Sequence, residues 1–240
     1  MGKSPPGRPA APLDDPLSYP GACAPWSFRL RGDEVTRFEG PVPRGRVPVL
    51  AVGSNACPSQ LAAKFRGRPC SDELLGLVVS VDRLQVRPSA HLGRSGYWPF
   101  APMAGAGPDC GPGRAVLCLL DDEQLHVLDR TEPNYDRRRL DGRAHAVTGA
   151  PAEVCAEGVC IYVSKHGVVD DPRLPTWSDP PPSQTVLLAA LTELVPVPPE
   201  LTEPAALSAA LRRDPGLADD LTAAVKEHLV VRGDGLAFGS

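Results

Sequence analysis

The stretch Val47-Pro48-Val49-Leu50-Ala51-Val52-Gly53-Ser54-Asn55-Ala56-Cys57-Pro58-Ser59-Gln60-Leu61-Ala62-Ala63-Lys64-Phe65 decides how the chain is read. Its first six residues form an apolar run of the length of a buried strand. Gly53-Ser54-Asn55 stops the run with residues that favour tight turns. From Pro58 the composition becomes helical, with proline in the first turn, where its missing N–H removes no hydrogen bond. Gly53, Ser54, Asn55 and Ala56 therefore lie in a strand-to-helix loop, whose free N–H groups suit an anion or a developing oxyanion. On spacing alone, an ordinary turn is the commoner reading of such a triplet.

Working toward the C-terminus, residues 74–81 read as a strand and 114–120 as a further buried strand. Between them, 89–113 is rich in Gly and Pro and carries Tyr97-Trp98-Pro99-Phe100, aromatics that serve equally as pocket wall or core. Asp121 or Asp122 caps a short helix through about Arg130, with Leu125 and Leu128 on one face. Residues 131–139 read as its polar, charged continuation, and 144–147 and 158–163 as strands. Lys165–Pro182 reads as loop. Ser183 caps a helix to about Leu194, and Pro196, Pro198 and Pro199 make a linker. Thr202 caps another helix, which Asp214-Pro215-Gly216 ends. Leu217, Leu221, Val225 and Leu229 recur at helical spacing. Strands in the middle and helices at the end predict an α+β chain.

Toward the N-terminus, the 29 prolines of the 240-residue chain are dense, and residues 1–45 read as a Pro-rich extension in which Trp26–Leu30 alternates as a possible edge strand. The expected division is thus 1–45, a core domain over 46–195, and a helical extension over 196–240 packed on it. Twenty-five Lys and Arg against 29 Asp and Glu leave a net charge of −4, which makes nucleic acid a poor partner. No apolar run is long enough to span a membrane. No apolar segment follows Lys3, so no secretory signal is expected. The seven cysteines include no CxxC pair. A disulfide framework or a zinc site is not expected, and the chain reads as cytoplasmic.

Glu132 is the second candidate for chemistry. Pro133 pulls it out of helical geometry, so it ends a helix rather than continuing a solvated face. A carboxylate held there beside Tyr135 and a wet cleft serves as a general acid/base. By local chemistry alone, a surface Glu paired with Arg137 or Arg138 is the commoner reading. Cys57 with His91 is conceivable as a nucleophilic pair in a thiol-dependent amide hydrolase, although a free cysteine is more often a packing residue.

Taken in order, these segments resemble the gamma-glutamylcyclotransferase-like family. Leu50-Ala51-Val52-Gly53-Ser54-Asn55 is similar to its Tyr-Gly-Ser-Asn strand end, with Val52 in place of Tyr. Leu128-Asp129-Arg130-Thr131-Glu132, followed by Tyr135 and Arg137-Arg138, is similar to its Leu-Asp-x-x-Glu-Gly and Tyr-x-Arg motifs, with Pro133 in place of Gly. Gly113–Leu125 resembles the lead-in to the acid and Gly158–Val163 the closing strand. The resemblance spans roughly 47–194. It implies a small mixed β-barrel with flanking helices. It implies Glu132 as the acid/base, and Val52, Gly53, Ser54, Asn55, Ala56 and Tyr135 as the substrate surround. The implied reaction is intramolecular: the α-amine of a γ-glutamyl compound attacks its own γ-carbonyl, releasing 5-oxoproline and an amine. It implies a small-molecule substrate and neither metal nor cofactor. A chain lacking the tyrosine also fits a non-catalytic small-molecule-binding or regulatory module on the same fold.

Overall fold

Near-continuous apolar runs, buried on both faces, form the central strands of the main sheet. The computed structural model describes residues 10–105, 110–156, 158–175 and 181–239. Parts of three expected segments lie outside the described residues: 1–9 of the extension, 106–109 of the Gly- and Pro-rich stretch and 176–180 of the loop.

In chain order the elements are β1 (Phe28–Arg31), β2 (Glu34–Arg37), β3 (Val47–Ala51), α1 (Pro58–Phe65), β4 (Glu73–Val81), β5 (Leu84–Pro88), β6 (Phe100–Ala104) and β7 (Gly113–Leu120). There follow α2 (Asp122–Thr131), β8 (Tyr135–Arg139), β9 (Val147–Thr148), the single turn α3 (Ala152–Cys155), β10 (Cys160–Ser164) and β11 (Val168–Val169). The chain ends with α4 (Gln184–Leu194), α5 (Pro204–Arg213), α6 (Pro215–His228) and β12 (Val231–Arg232). The main sheet runs β2-β1-β4-β7-β3-β10-β8, with β9 also paired to β4. Among the described residues, only the β3–β10 pair is parallel. The hairpin β5–β6 and the pair β11–β12 form separate two-stranded sheets.

The chain is therefore α+β with a large mixed sheet, and the expected closure into a barrel is corrected: β2 and β8 are edges that do not meet. Their composition explains it. Four consecutive residues of β8, Asp136–Arg139, are exposed, and β2 exposes Glu34, Thr36 and Arg37; charged edges resist further pairing.

In β7, Val116, Cys118 and Leu120 face Leu61 and Phe65 of α1 and Leu125 and Leu128 of α2. Ala115, Leu117 and Leu119 face the opposite core with Leu77, Val79 and Ile161. Gly76 lies opposite Phe28 in register, and a Cβ there would overlap the Phe28 ring, which accounts for a glycine in mid-strand. A third core gathers α4, α5 and α6 around Trp98. The Trp98 backbone is bonded at both ends by Gln184, whose Oε1 accepts at 2.8 Å and whose Nε2 donates at 2.9 Å.

Three further expectations change. β1 is bonded to both β2 and β4, so the N-terminal strand is interior and β2, which the sequence hid, is the edge. Residues 135–139 form a strand paired with β10 rather than a helical continuation, because Pro133 ends α2 first. The N-cap of α5 is Glu203 rather than Thr202, whose hydroxyl donates to Pro199 instead.

Candidate functional site

The turn after β3 and the turn after α2 line a common cavity of about 390 Å³. A capping box of Asp121 and Gln124 fixes the start of α2, and Glu132 is its C-cap at φ −118°, ψ 53°. That conformation follows from Pro133, which disfavours a helical preceding residue. The side chain then reaches α1. Glu132 Oε1 accepts from Asn55 Nδ2 at 2.9 Å and from Lys64 Nζ at 2.5 Å, and Lys64 also donates to Asn55 Oδ1 at 2.8 Å. The Lys64 and Glu132 side chains are only 7% and 14% exposed, so this is a pair held largely out of water. Oε2 of Glu132 has no hydrogen-bond partner among the described residues.

Lys64 went unnoticed in the sequence. Its signal was a lysine set among Leu61, Ala62, Ala63 and Phe65 on a helix whose residues are nearly all buried. One turn earlier, Gln60 is fully buried and also borders the cavity. Its Oε1 accepts from the Leu13 amide at 3.0 Å, which pins the orientation of the side-chain amide, and Nε2 has no partner among the described residues.

Gly53, Ser54, Asn55, Val52 and Tyr135 all border the cavity. Ala56 does not: it is 4% exposed, packs into the core, and spends its N–H on the Gly53 carbonyl at 2.9 Å. The expected substrate contact at Ala56 is not on this cavity, because the loop winds into a 3-10 turn, Ser54–Ala56, that turns the residue toward the core and a neighbouring second cavity. The glycine at 53 also has a specific cause. A Cβ there would lie 2.6 Å from the Tyr19 hydroxyl, so Gly53 makes room for a side chain of the chain's own N-terminal segment. Tyr19 is 4% exposed, stacks on Tyr97 with ring centroids 4.2 Å apart, and its hydroxyl accepts from the Phe100 amide at 2.8 Å. The Tyr135 hydroxyl donates to the Phe100 carbonyl at 2.9 Å. Two tyrosines thus grip the backbone of one residue of the cavity wall, Phe100.

Burial pushes the Tyr19 and Tyr135 hydroxyls well above the ordinary phenol range and the Tyr97 hydroxyl up to about 12, so all three are neutral donors near pH 7. His91 also borders the cavity. Its Nδ1 shares a 2.6 Å hydrogen bond with Ser89 Oγ, and its ring stacks on His166 at 4.7 Å. Burial, then His166 and Lys226, lower it to about 3. Cys57 is fully buried beneath Gly21 and does not border the cavity.

A second cavity, of about 270 Å³, shares Ala51 and Val52 with the first and is bounded by Leu84, Val86 and Val116. Among the described residues, no cluster of three His, Cys, Asp or Glu side chains is placed to hold a metal ion, and no helix is long and apolar enough to cross a membrane. Comparison of the chain with protein-family models, with curated proteins and with solved structures finds no match.

Proposed function

We propose that this chain is an enzyme of the gamma-glutamylcyclotransferase type, which cleaves an amide or γ-glutamyl bond of a small amine-bearing metabolite by intramolecular cyclotransfer. The observation that carries the reading is the Glu132 carboxylate: one oxygen is held by Asn55 and Lys64, the other is unengaged, and both it and the Gly53–Asn55 turn border one cavity.

The reaction needs a folded substrate, a base and a site for negative charge. The substrate α-amine attacks its own γ-carbonyl, closing a five-membered ring. Glu132 Oε2 takes the proton that the amine loses. Charge develops on the carbonyl oxygen, and the Asn55 N–H, at the open start of the 3-10 turn, is a donor available to it. The amide C–N bond then breaks, and the protonated Glu132 returns its proton to the leaving amine. Lys64 and Asn55 hold Oε1 still throughout, so the carboxylate stays oriented as its charge changes. Val52 offers the substrate an apolar surface and no hydrogen bond.

The test is product analysis with a panel of γ-glutamyl amines. The reading expects 5-oxoproline and free amine in equal amounts from at least one member. A panel that yields no 5-oxoproline, with one member nonetheless raising the melting temperature, would replace it with a binding module.

A further inference from the structure

The N-terminal segment brings a hydroxyl into the wall of this cavity whose hydrogen is unused. Tyr19 belongs to the Pro-rich stretch before β1, outside the span on which the sequence resemblance rests. The residue is 4% exposed and borders the same cavity as Glu132 and the Gly53–Asn55 turn. The hydroxyl oxygen is on the accepting side of its hydrogen bond with the Phe100 amide. A phenol oxygen that accepts still has one hydrogen to donate. Among the described residues that hydrogen has no acceptor. A donor buried to this degree and left unpaired is costly, and the cavity is the space in which an acceptor fits.

The position is also rigid. Stacking on Tyr97 and an edge contact with Phe100, centroids 4.9 Å apart, hold the ring. Gly53 lacks the Cβ that would push the hydroxyl away. A donor fixed before the substrate arrives is the arrangement that stabilises charge appearing on a carbonyl oxygen.

We propose that the Tyr19 O–H donates to the carbonyl oxygen of an acyl ligand bound in this cavity, beside the Asn55 amide. The inference rests on the cyclotransfer reading for the identity of the ligand. In that reaction the same oxygen bears the negative charge when the amine adds and becomes the ring carbonyl oxygen of 5-oxoproline. Tyr19 is then a catalytic residue, and the N-terminal segment is part of the active site.

The experiment uses the full chain and 5-oxoproline labelled with carbon-13 at the ring carbonyl. In the wild type, the bound carbonyl stretch moves to lower frequency than in water-free reference solvent. In Tyr19→Phe it moves back up, and the dissociation constant rises about tenfold. With an active γ-glutamyl amine, Tyr19→Phe lowers kcat by about 10²–10³-fold, the loss typical of one oxyanion donor, with KM changed far less. Leu17→Ala loosens the same segment, since Leu17 packs on the core around Trp98, but keeps the hydroxyl; it lowers the melting temperature and leaves the carbonyl frequency unchanged. An identical carbonyl frequency in wild type and Tyr19→Phe overturns the proposal, as does a wild type that does not bind 5-oxoproline. Binding with the expected shift but no turnover of any γ-glutamyl amine upholds the donor role and removes the cyclotransfer reading alone.

Discussion

Lys64 Nζ lies 2.5 Å from Glu132 Oε1, with both side chains more than four-fifths buried. The two residues are 68 positions apart, and their contact joins α1 to the end of α2. Removing one member of such a pair leaves the other as an uncompensated buried charge, at a cost of about 3–5 kcal/mol. Lys64→Met should therefore lower unfolding stability by that order in urea titrations. The double variant Lys64→Met, Glu132→Gln should lose less than the sum of the singles, because both charges are gone. Strict additivity would show that the pair carries no coupling.

The contact between Tyr19 and Gly53 gives a second non-additive pair. Gly53→Ala puts a Cβ 2.6 Å from a hydroxyl that stacking and the Phe100 amide hold in place, which should cost about 1–3 kcal/mol as overpacking. Tyr19→Phe leaves the Phe100 N–H without its partner, at a similar cost of about 1–3 kcal/mol. Combining them removes the clash, so the double variant should be more stable than the summed losses predict. Melting curves of the four proteins decide it.

His91 sets a pH dependence. Its folded pKa, lowered to about 3 by burial and by His166 and Lys226, lies below the ordinary value near 6.5. The unfolded chain thus binds a proton that the folded chain refuses. The stability contributed by neutral His91 is complete above about pH 6.5 and is lost as pH falls from there toward 3. Between pH 7 and pH 5 the loss is on the order of 2 kcal/mol. His91→Gln, which keeps a group able to bond Ser89, should flatten the urea midpoint over that interval relative to the wild type. Parallel pH profiles would show that His91 does not titrate on unfolding.

Val52 borders both cavities and cannot meet a polar substrate atom, so an atom left unpaired against it costs about 1–3 kcal/mol. Simple γ-glutamyl dipeptides should be poor substrates, and those with a bulkier apolar group better ones. Val52→Tyr should narrow or invert the ratio of their kcat/KM values. High wild-type activity on the simple dipeptides with no gain in Val52→Tyr would show that this residue does not set specificity.

Much of this arrangement was legible from residue patterns, for identifiable reasons. The strand, turn and helix over 47–65 are local: apolar run, Gly-Ser-Asn, then Pro at a first helical turn. The α1 bounds match the expected 58–65, and Ser183 caps α4 as its sequence implies. Glu132 was marked locally by Pro133, and as an acid/base by the resemblance of the 128–138 segment. What escaped was held by distant contacts. Residues 135–139 are so charged that their hydrogen bonds to β10 leave no apolar period to read. β2 is hidden for the same reason. Lys64 and Tyr19 reach the site only because α1 packs beside α2 and because the segment before β1 folds back over the turn at Gly53; neither approach is written in local spacing.

The central claim is that Glu132 moves the proton. The direct measurement is single-turnover release of 5-oxoproline by wild type, Glu132→Gln and Cys57→Ala, with circular dichroism confirming that each is folded. Glu132→Gln keeps an oxygen for Asn55 and Lys64 but removes the base, so its rate should fall by about 10²–10⁴-fold, while Cys57→Ala, altered only beneath the loop, should retain the wild-type rate to within a fewfold factor. A Glu132→Gln variant that turns over at the wild-type rate, with activity lost in Cys57→Ala, would contradict the account.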